Sequence, residues 1–237
     1  MPKPVAAPGI TALLAVFFAV DIACSAAKSE ILSEPRIGFR IQIVHEGEQV
    51  GDNKILLQYH GEIVHPLARN LREIATALRG RFGHVRLDID SVGGALDEAE
   101  KVVALLDELK RSVMLTTSVQ HGHRCLSACV IIFMQGTRRL AGGSSSWMFH
   151  GACGPFDNRP VLEPTDRFLQ LLRQGGADPQ FLCHLAERAY LSSPGKLWLS
   201  GYELFHVWKA NVVTELLDPW QPEAVIELPF DPQIRSR

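Results

Sequence analysis

The sequence predicts an α/β fold with a mostly parallel sheet, and three observations carry that expectation. Period-2 and period-3.6 apolar patterns alternate from Lys54 to Val119, strand, helix, strand, helix, strand. Parallel neighbours need a crossover of a dozen or more residues, and the helical stretches fill those intervals. The pair Gly93-Gly94 ends a strand pattern and opens a helical one, as a tight βα turn does.

Taken in order, residues 28–53 are polar and irregular apart from Phe39–Val44, "FRIQIV", which alternates like a strand or hairpin arm. "KILLQYHGEI" reads as a strand ending at Gly61. "LARNLREIATALRG" places Leu67, Leu71, Ile74, Ala75 and Leu78 at helical spacing, with Gly80 as the stop. His84–Asp90, "HVRLDID", is a strand with Val85, Leu87 and Ile89 on one face. "ALDEAEKVVALLDELK" is an amphipathic helix with Leu96, Ala99, Val103, Leu106 and Leu109 on one side. "SVMLTTSV" is the next strand. "ACVIIFMQG" is apolar on every side, so periodicity leaves it a buried strand or a buried helix. "SWMFHG" reads as a strand ending at His150, and "TDRFLQLLRQGG" and "PQFLCHLAERAYL" as two helices split by Gly175-Gly176 and Pro179. "LWLSGYELFHVWKANVVTELL" reads as a turn capped by Ser200, a helix and a last short strand. The tail from Asp218 holds Pro219, Pro222, Pro229 and Pro232 and is expected to run as an extended strap.

The chain has 237 residues, 46% hydrophobic and 21% charged, with a formal net charge of -2. That suits one globular domain with short tails. A pI of about 6.5 and the absence of a basic stripe argue against a nucleic-acid partner. At the N-terminus Lys3 precedes the apolar run Ile10–Val20, and Ser25 and Ala27 come next at small-x-small spacing. This is the layout of a cleaved signal peptide over 1–27, too short for a comfortable membrane span. The expected organisation is a signal peptide at 1–27, an N-terminal segment at 28–53, one domain at 54–217 and a Pro-rich tail at 218–237. The expected location is periplasmic or secreted, the rivals being an uncleaved N-terminal anchor and a lipoprotein at Cys24, where Asp21 is out of place. Cleavage after Ala27 leaves Cys125, Cys129, Cys153 and Cys183, an even set in an exported chain, which suggests disulfides. Buried free thiols are the alternative. Cys125 and Cys129 are four apart and flank Ser127. Their expected bond braces the Ser127 loop; Cys153 with Cys183 is the rival pairing, and both can form.

Three stretches suggest chemistry. The "DSVGG" turn exposes backbone N–H groups at a helix start and lets a substrate backbone approach, though an ordinary βα turn looks the same. Ser127 lies between small residues just before the apolar run, as a nucleophile or a helix N-cap would. His150 leaves the end of an apolar strand, as a general base or an edge histidine. His121 and His123 beside Cys125 and Cys129 invite a zinc site, but the spacing fits no zinc template. No metal and no cofactor is expected.

Taken together and in order, "LLQYHGEI", "LDIDSVGGALDEAEKVVALL", "CLSACVIIFMQGTRRLAGGSSSWMFHGA" and "LWLSGYELFHVWKANVVTEL" resemble the ClpP/crotonase superfamily, and specifically ClpP-type serine proteases. The resemblance runs over roughly Lys54 to Leu217. It implies repeated ββα units with a mostly parallel sheet. It also implies a serine endopeptidase, a hydrolase, with Ser127 as nucleophile, His150 as general base, and the N–H groups of Gly93 and Ala128 as the oxyanion hole. Val92 stands where the family has a proline. More seriously, the family's acid precedes the closing block, and here "LSSPGK" offers Ser192, Ser193 and Lys196 but no carboxylate. Asp157, Asp166 and Asp178 are the carboxylates that could reach in from elsewhere, and a Ser-Lys dyad through Lys196 is a weaker alternative.

Two functions stand as expectations. The first is an exported peptidase acting on peptides or unfolded protein segments, with no ATPase partner in that compartment. The second is a non-catalytic peptide- or protein-binding member of the same fold. Acyl-CoA chemistry, a third option, conflicts with export and with the Ser-His pair. The family forms rings, so a homo-oligomer is compatible, though no surface pattern specifies one.

Overall fold

A computed structural model describes residues 30–32, 38–44, 54–152, 161–192 and 195–217. Its main sheet begins with β1 (Glu30–Leu32), β2 (Phe39–Val44) and β3 (Lys54–His60) as an antiparallel meander. Helix α1 (Leu67–Ala77) then crosses to β4 (His84–Asp90), and α2 (Leu96–Leu109) to β5 (Met114–Val119). β3, β4 and β5 pair in parallel, and so do β7 (Arg138–Ala141) and β10 (Glu215–Leu216) farther along, giving the order β1-β2-β3-β4-β5-β7-β10. This is the mostly parallel α/β sheet expected. A second sheet of three strands holds β6 (Arg124–Leu126) parallel to β8 (Ser146–Phe149), and β8 antiparallel to β9 (Leu197–Ser200). α3 (Cys129–Phe133) links β6 to β7, while α4 (Leu162–Gln174) and α5 (Pro179–Glu187) lie between β8 and β9.

The reason for each helix is legible in its apolar spacing. Leu67, Leu71 and Ile74 of α1 are buried, as are Ala99, Val102, Val103, Leu105 and Leu106 of α2. α1, α2 and α3 meet the sheet around one small gap lined by Leu67, Leu71, Leu87, Ile89, Val102 and Ile132. Val85, Leu87 and Ile89 alternate inward along β4 as their spacing requires. Asp88, on the opposite face, is also buried because Ser118 Oγ and Gln120 Nε2 both donate to its carboxylate. The deepest core surrounds the second sheet, where Phe133 and Trp147 meet edge-on at 4.7 Å and Phe149 packs on Phe181 at 5.2 Å. Each such ring removes enough apolar surface from water to stabilise the fold by about 1.5–3 kcal/mol.

Several local readings change. The ambiguous apolar run is a helix of five residues, completely buried. A short strand stands at Glu30–Leu32 in the segment read as irregular, because β2 offers it an edge. "LWLS" is strand β9, not a turn. Ser200 caps the next element: its hydroxyl accepts from the Glu203 N–H at 3.1 Å, and its own N–H donates to Glu203 Oε2 at 2.7 Å. The element so capped is a single π-helical turn, Glu203–Val207, not an α-helix. The segment read as a signal peptide and the Pro-rich tail lie outside the described residues. Among the described residues no helix is long and apolar enough to cross a membrane.

Candidate active site

The site forms where the two sheets meet. Ser91 lies one residue beyond β4 and bridges to Cys125 of β6; its N–H donates to the Arg124 carbonyl at 2.8 Å, and the Leu126 N–H donates to its carbonyl at 3.1 Å. The turn after Ser91 is thereby fixed beside the end of β6. Gly93 has φ +89° and Gly94 φ +147°, values that glycine tolerates and other residues rarely adopt. The turn's other side is held by Ile63, which donates to the Gly93 carbonyl and accepts from the Ala95 N–H, both at 2.8 Å. A Cβ on Gly93 would stand 2.5 Å from the Leu126 carbonyl oxygen and 2.9 Å from the Ser127 Cβ. The glycine is required because the chain that carries Ser127 passes directly over it.

Ser127 sits between β6 and α3 with φ +55°, in the left-handed region. That conformation costs an L-residue roughly 1–2 kcal/mol, and such strain concentrates at functional turns. The Ser127 N–H donates to the Met148 carbonyl at 2.9 Å, and its carbonyl accepts from the Val130 N–H at 2.9 Å. Its hydroxyl makes no hydrogen bond among the described residues. Ala128, not Ser127, is the N-cap of α3, and no side chain caps that helix. The capping alternative for Ser127 is therefore set aside. The turn conformation leaves the hydroxyl at the mouth of a cleft and the Ala128 N–H without an acceptor among the described residues.

β6 and β8 pair in register, Leu126 opposite Met148, so His150 emerges one residue past the row of Ser127. Both side chains line one cleft of about 460 Å³, with Gly94, Ala95, Leu96, Asp97, Ala152, Pro164, Arg167 and Phe168 among its walls. α4 closes the far wall: its Thr165 hydroxyl accepts from the Ala152 N–H at 2.9 Å, and Val161 donates to the Ala152 carbonyl at 2.7 Å. The charged lining is internally paired, Arg167 with Glu100 at 3.3 Å and Asp97 with Lys101 at 3.8 Å.

The other expected residues are placed less uniformly. The Gly93 N–H donates to Ser91 Oγ at 3.1 Å, so it is already engaged, and the turn glycine that lines the cleft is Gly94. Asp178 is spent capping α5, accepting from Gln180 N at 2.9 Å and Phe181 N at 3.0 Å. Asp166 is exposed on α4, Asp157 and Ser193 lie outside the described residues, and Ser192 is exposed. The Lys196 ammonium acts electrostatically on His150. Burial first, and then that ammonium, push the imidazole below the ordinary histidine value, against a hydrogen bond to the Gly151 backbone that raises it. Gly151 runs so close under the Leu191 carbonyl that a Cβ there would collide with it. A cation thus acts on the His150 imidazole.

Lys196→Met is accordingly expected to raise the His150 pKa. The imidazole acts as a base only when neutral, so the acid limb of any His150-dependent rate lies below the ordinary histidine pH in the wild type. It should move to higher pH in the variant, and pH-rate profiles of the two proteins check this. A coincident acid limb in both proteins would remove Lys196 from the account.

Cys125 and Cys129 are placed as a disulfide-capable pair, with Cα atoms 5.2 Å apart and both side chains wholly buried. The pairing occupies the sulfurs of the zinc alternative. Cys183 is an exposed free thiol hydrogen-bonded to Glu187 at 3.1 Å, and Cys153 lies outside the described residues.

The fold has solved counterparts. A point mutant of ClpP1 from Listeria monocytogenes superposes with a TM-score of 0.55 at 15% identity, over 69% of this chain and 91% of that one. A peptidase from Plasmodium falciparum gives 0.52 at 11% identity, over 69% of this chain and 95% of the other. No protein-family model and no curated protein matches the chain. At such identities the likeness establishes a ClpP-like fold.

Proposed function

We propose that the protein is an exported serine peptidase that cleaves peptides or unfolded protein segments with a Ser127-His150 pair. The observation that carries the reading is the left-handed Ser127 at a strand-to-helix junction, its hydroxyl opening on the cleft that His150 lines. Strain of that kind has no use in a helix cap, and it is what a nucleophile elbow requires. His150, held neutral by burial and Lys196, takes the Ser127 proton as the hydroxyl oxygen attacks a peptide carbonyl. The Ala128 N–H and an N–H of the Gly93-Gly94 turn receive the developing oxyanion. His150 then returns the proton to the leaving amine, and water repeats the sequence on the acyl-enzyme. The apolar walls given by Leu96, Pro164 and Phe168 suit an extended segment from an unfolded protein better than a charged small molecule. Export rests on the N-terminal apolar run Ile10–Val20, and the buried cysteine pair is in keeping with an oxidising compartment. No ATPase partner is needed for substrates that arrive unfolded, and no cofactor enters the chemistry.

The second reading is a binding protein of the same fold. The cation that acts on His150 favours it, because Lys196 opposes the imidazolium that must form during proton transfer. A fluorogenic peptide library separates the two. The peptidase reading expects turnover that stops when Ser127 is phosphonylated; binding without turnover would leave the second reading in place.

Gly93→Val should slow such turnover by roughly 10²-fold, since the side chain must displace Leu126 and Ser127. Kinetics of the folded variant check this. A wild-type rate would mean that the turn does not position the nucleophile.

A further inference from the structure

Four features of the Ser127 junction belong together. The residue is strained, with φ +55°. The helix after it has only five residues and no side-chain cap, so α3 alone anchors the turn weakly. The strand before it, β6, is three residues long. Cys125 and Cys129 stand two residues on either side of the serine, both wholly buried and placed to bond. Cys125 is also the residue that bridges to Ser91, which precedes the glycine turn. A covalent link between them joins α3 to β6, and through Ser91 to the oxyanion turn, across the strained serine.

From this we infer that the Cys125–Cys129 disulfide is the positioning lock of the nucleophile, and that a chain folded with these thiols reduced has the same fold and an unreactive serine. The inference rests on the peptidase reading and adds its control. Closing the lock removes two protons and two electrons from the two thiols and joins Sγ to Sγ. The acceptor is a disulfide oxidant, reduced in exchange to two thiols. Because neither sulfur is exposed, the bond forms during folding, before the core shuts. A chain that folds in a thiol-reducing compartment is therefore silent, and one that folds in an oxidising compartment is armed. The buried bulk of α3, with Val130, Ile131, Ile132 and Phe133 packed in the core, keeps the fold in both states.

The test measures fluorophosphonate labelling at several probe concentrations, which separates the maximal rate from the half-saturating concentration. Three proteins are compared: oxidised wild type, wild type unfolded and refolded anaerobically in dithiothreitol, and Cys125→Ala/Cys129→Ala. The expected result is a maximal rate about 10²-fold lower in the last two, with the half-saturating concentration and the circular dichroism spectrum unchanged. Unfolding, removing the thiol reductant and refolding with oxidised glutathione should restore the rate of the wild type and not that of the double variant. Equal labelling of all three overturns the lock and leaves the peptidase reading standing. Free thiols at Cys125 and Cys129 in the oxidised protein also overturn it. No labelling of the oxidised wild type overturns both. If the double variant does not fold, the reduced and re-oxidised wild type carries the comparison.

Discussion

Ser127→Ala is expected to abolish both fluorophosphonate labelling and peptide hydrolysis while leaving the fold and its stability nearly unchanged. The loss of activity is complete because, among the described residues that line the cleft, Ser127 alone carries a hydroxyl. The small change in stability has a structural cause. The Ser127 hydroxyl makes no hydrogen bond among the described residues, and its backbone bonds to Met148 and Val130 survive the substitution. A capping serine would behave differently, costing about 1 kcal/mol on replacement. Ser127→Gly is the sharper companion. Glycine adopts φ +55° without penalty, so the variant should be more stable than wild type by roughly 1 kcal/mol and equally inactive. Thermal unfolding beside probe labelling checks both variants. A serine whose removal stabilises the protein and ends its chemistry is held there for the chemistry. If Ser127→Gly is less stable than wild type, the strain argument fails.

His150→Ala is expected to lower the labelling rate and kcat/KM by roughly 10²- to 10⁴-fold, the usual contribution of a positioned base. Some reactivity should remain, because the backbone N–H groups proposed to receive the oxyanion are untouched by the substitution. The loss should fall on kcat and not on KM, since His150 lies just past the strand end and most of the cleft it shares with Ser127 is lined by other residues. Steady-state kinetics on one fluorogenic peptide measures the split. An unchanged kcat would mean that another group, Lys196 foremost, takes the proton.

How much of the fold was legible in the sequence depends on length. α1, α2, β4 and β5 carry long periodic runs, and each stands where its pattern placed it. β6, β7 and β9 went unread because they have three or four residues, and β7 opens on two arginines. Strands that short are made by their neighbours: β8 exists in register on both β6 and β9, and no local propensity announces that. The helix–strand ambiguity of "ACVIIF" was physical too, since a wholly buried helix of five residues shows no apolar face. At the site, Ser127 and His150 were readable as a pair and share the cleft. The strain at Ser127, the engagement of the Gly93 N–H by Ser91 and the electrostatic effect of Lys196 on His150 were not. The strain and the lysine's effect depend on chain segments distant in sequence, and the Ser91 bond depends on a turn geometry that "SVGG" does not specify.

The central claim is that Ser127 is the reactive group of this fold. The most direct measurement is peptide-level mass spectrometry of the oxidised protein after treatment with a fluorophosphonate. The adduct is expected on Ser127 in one-to-one amount, lost in Ser127→Ala and slowed in His150→Ala. No adduct at saturating probe, or an adduct on another residue that persists in Ser127→Ala, would contradict it.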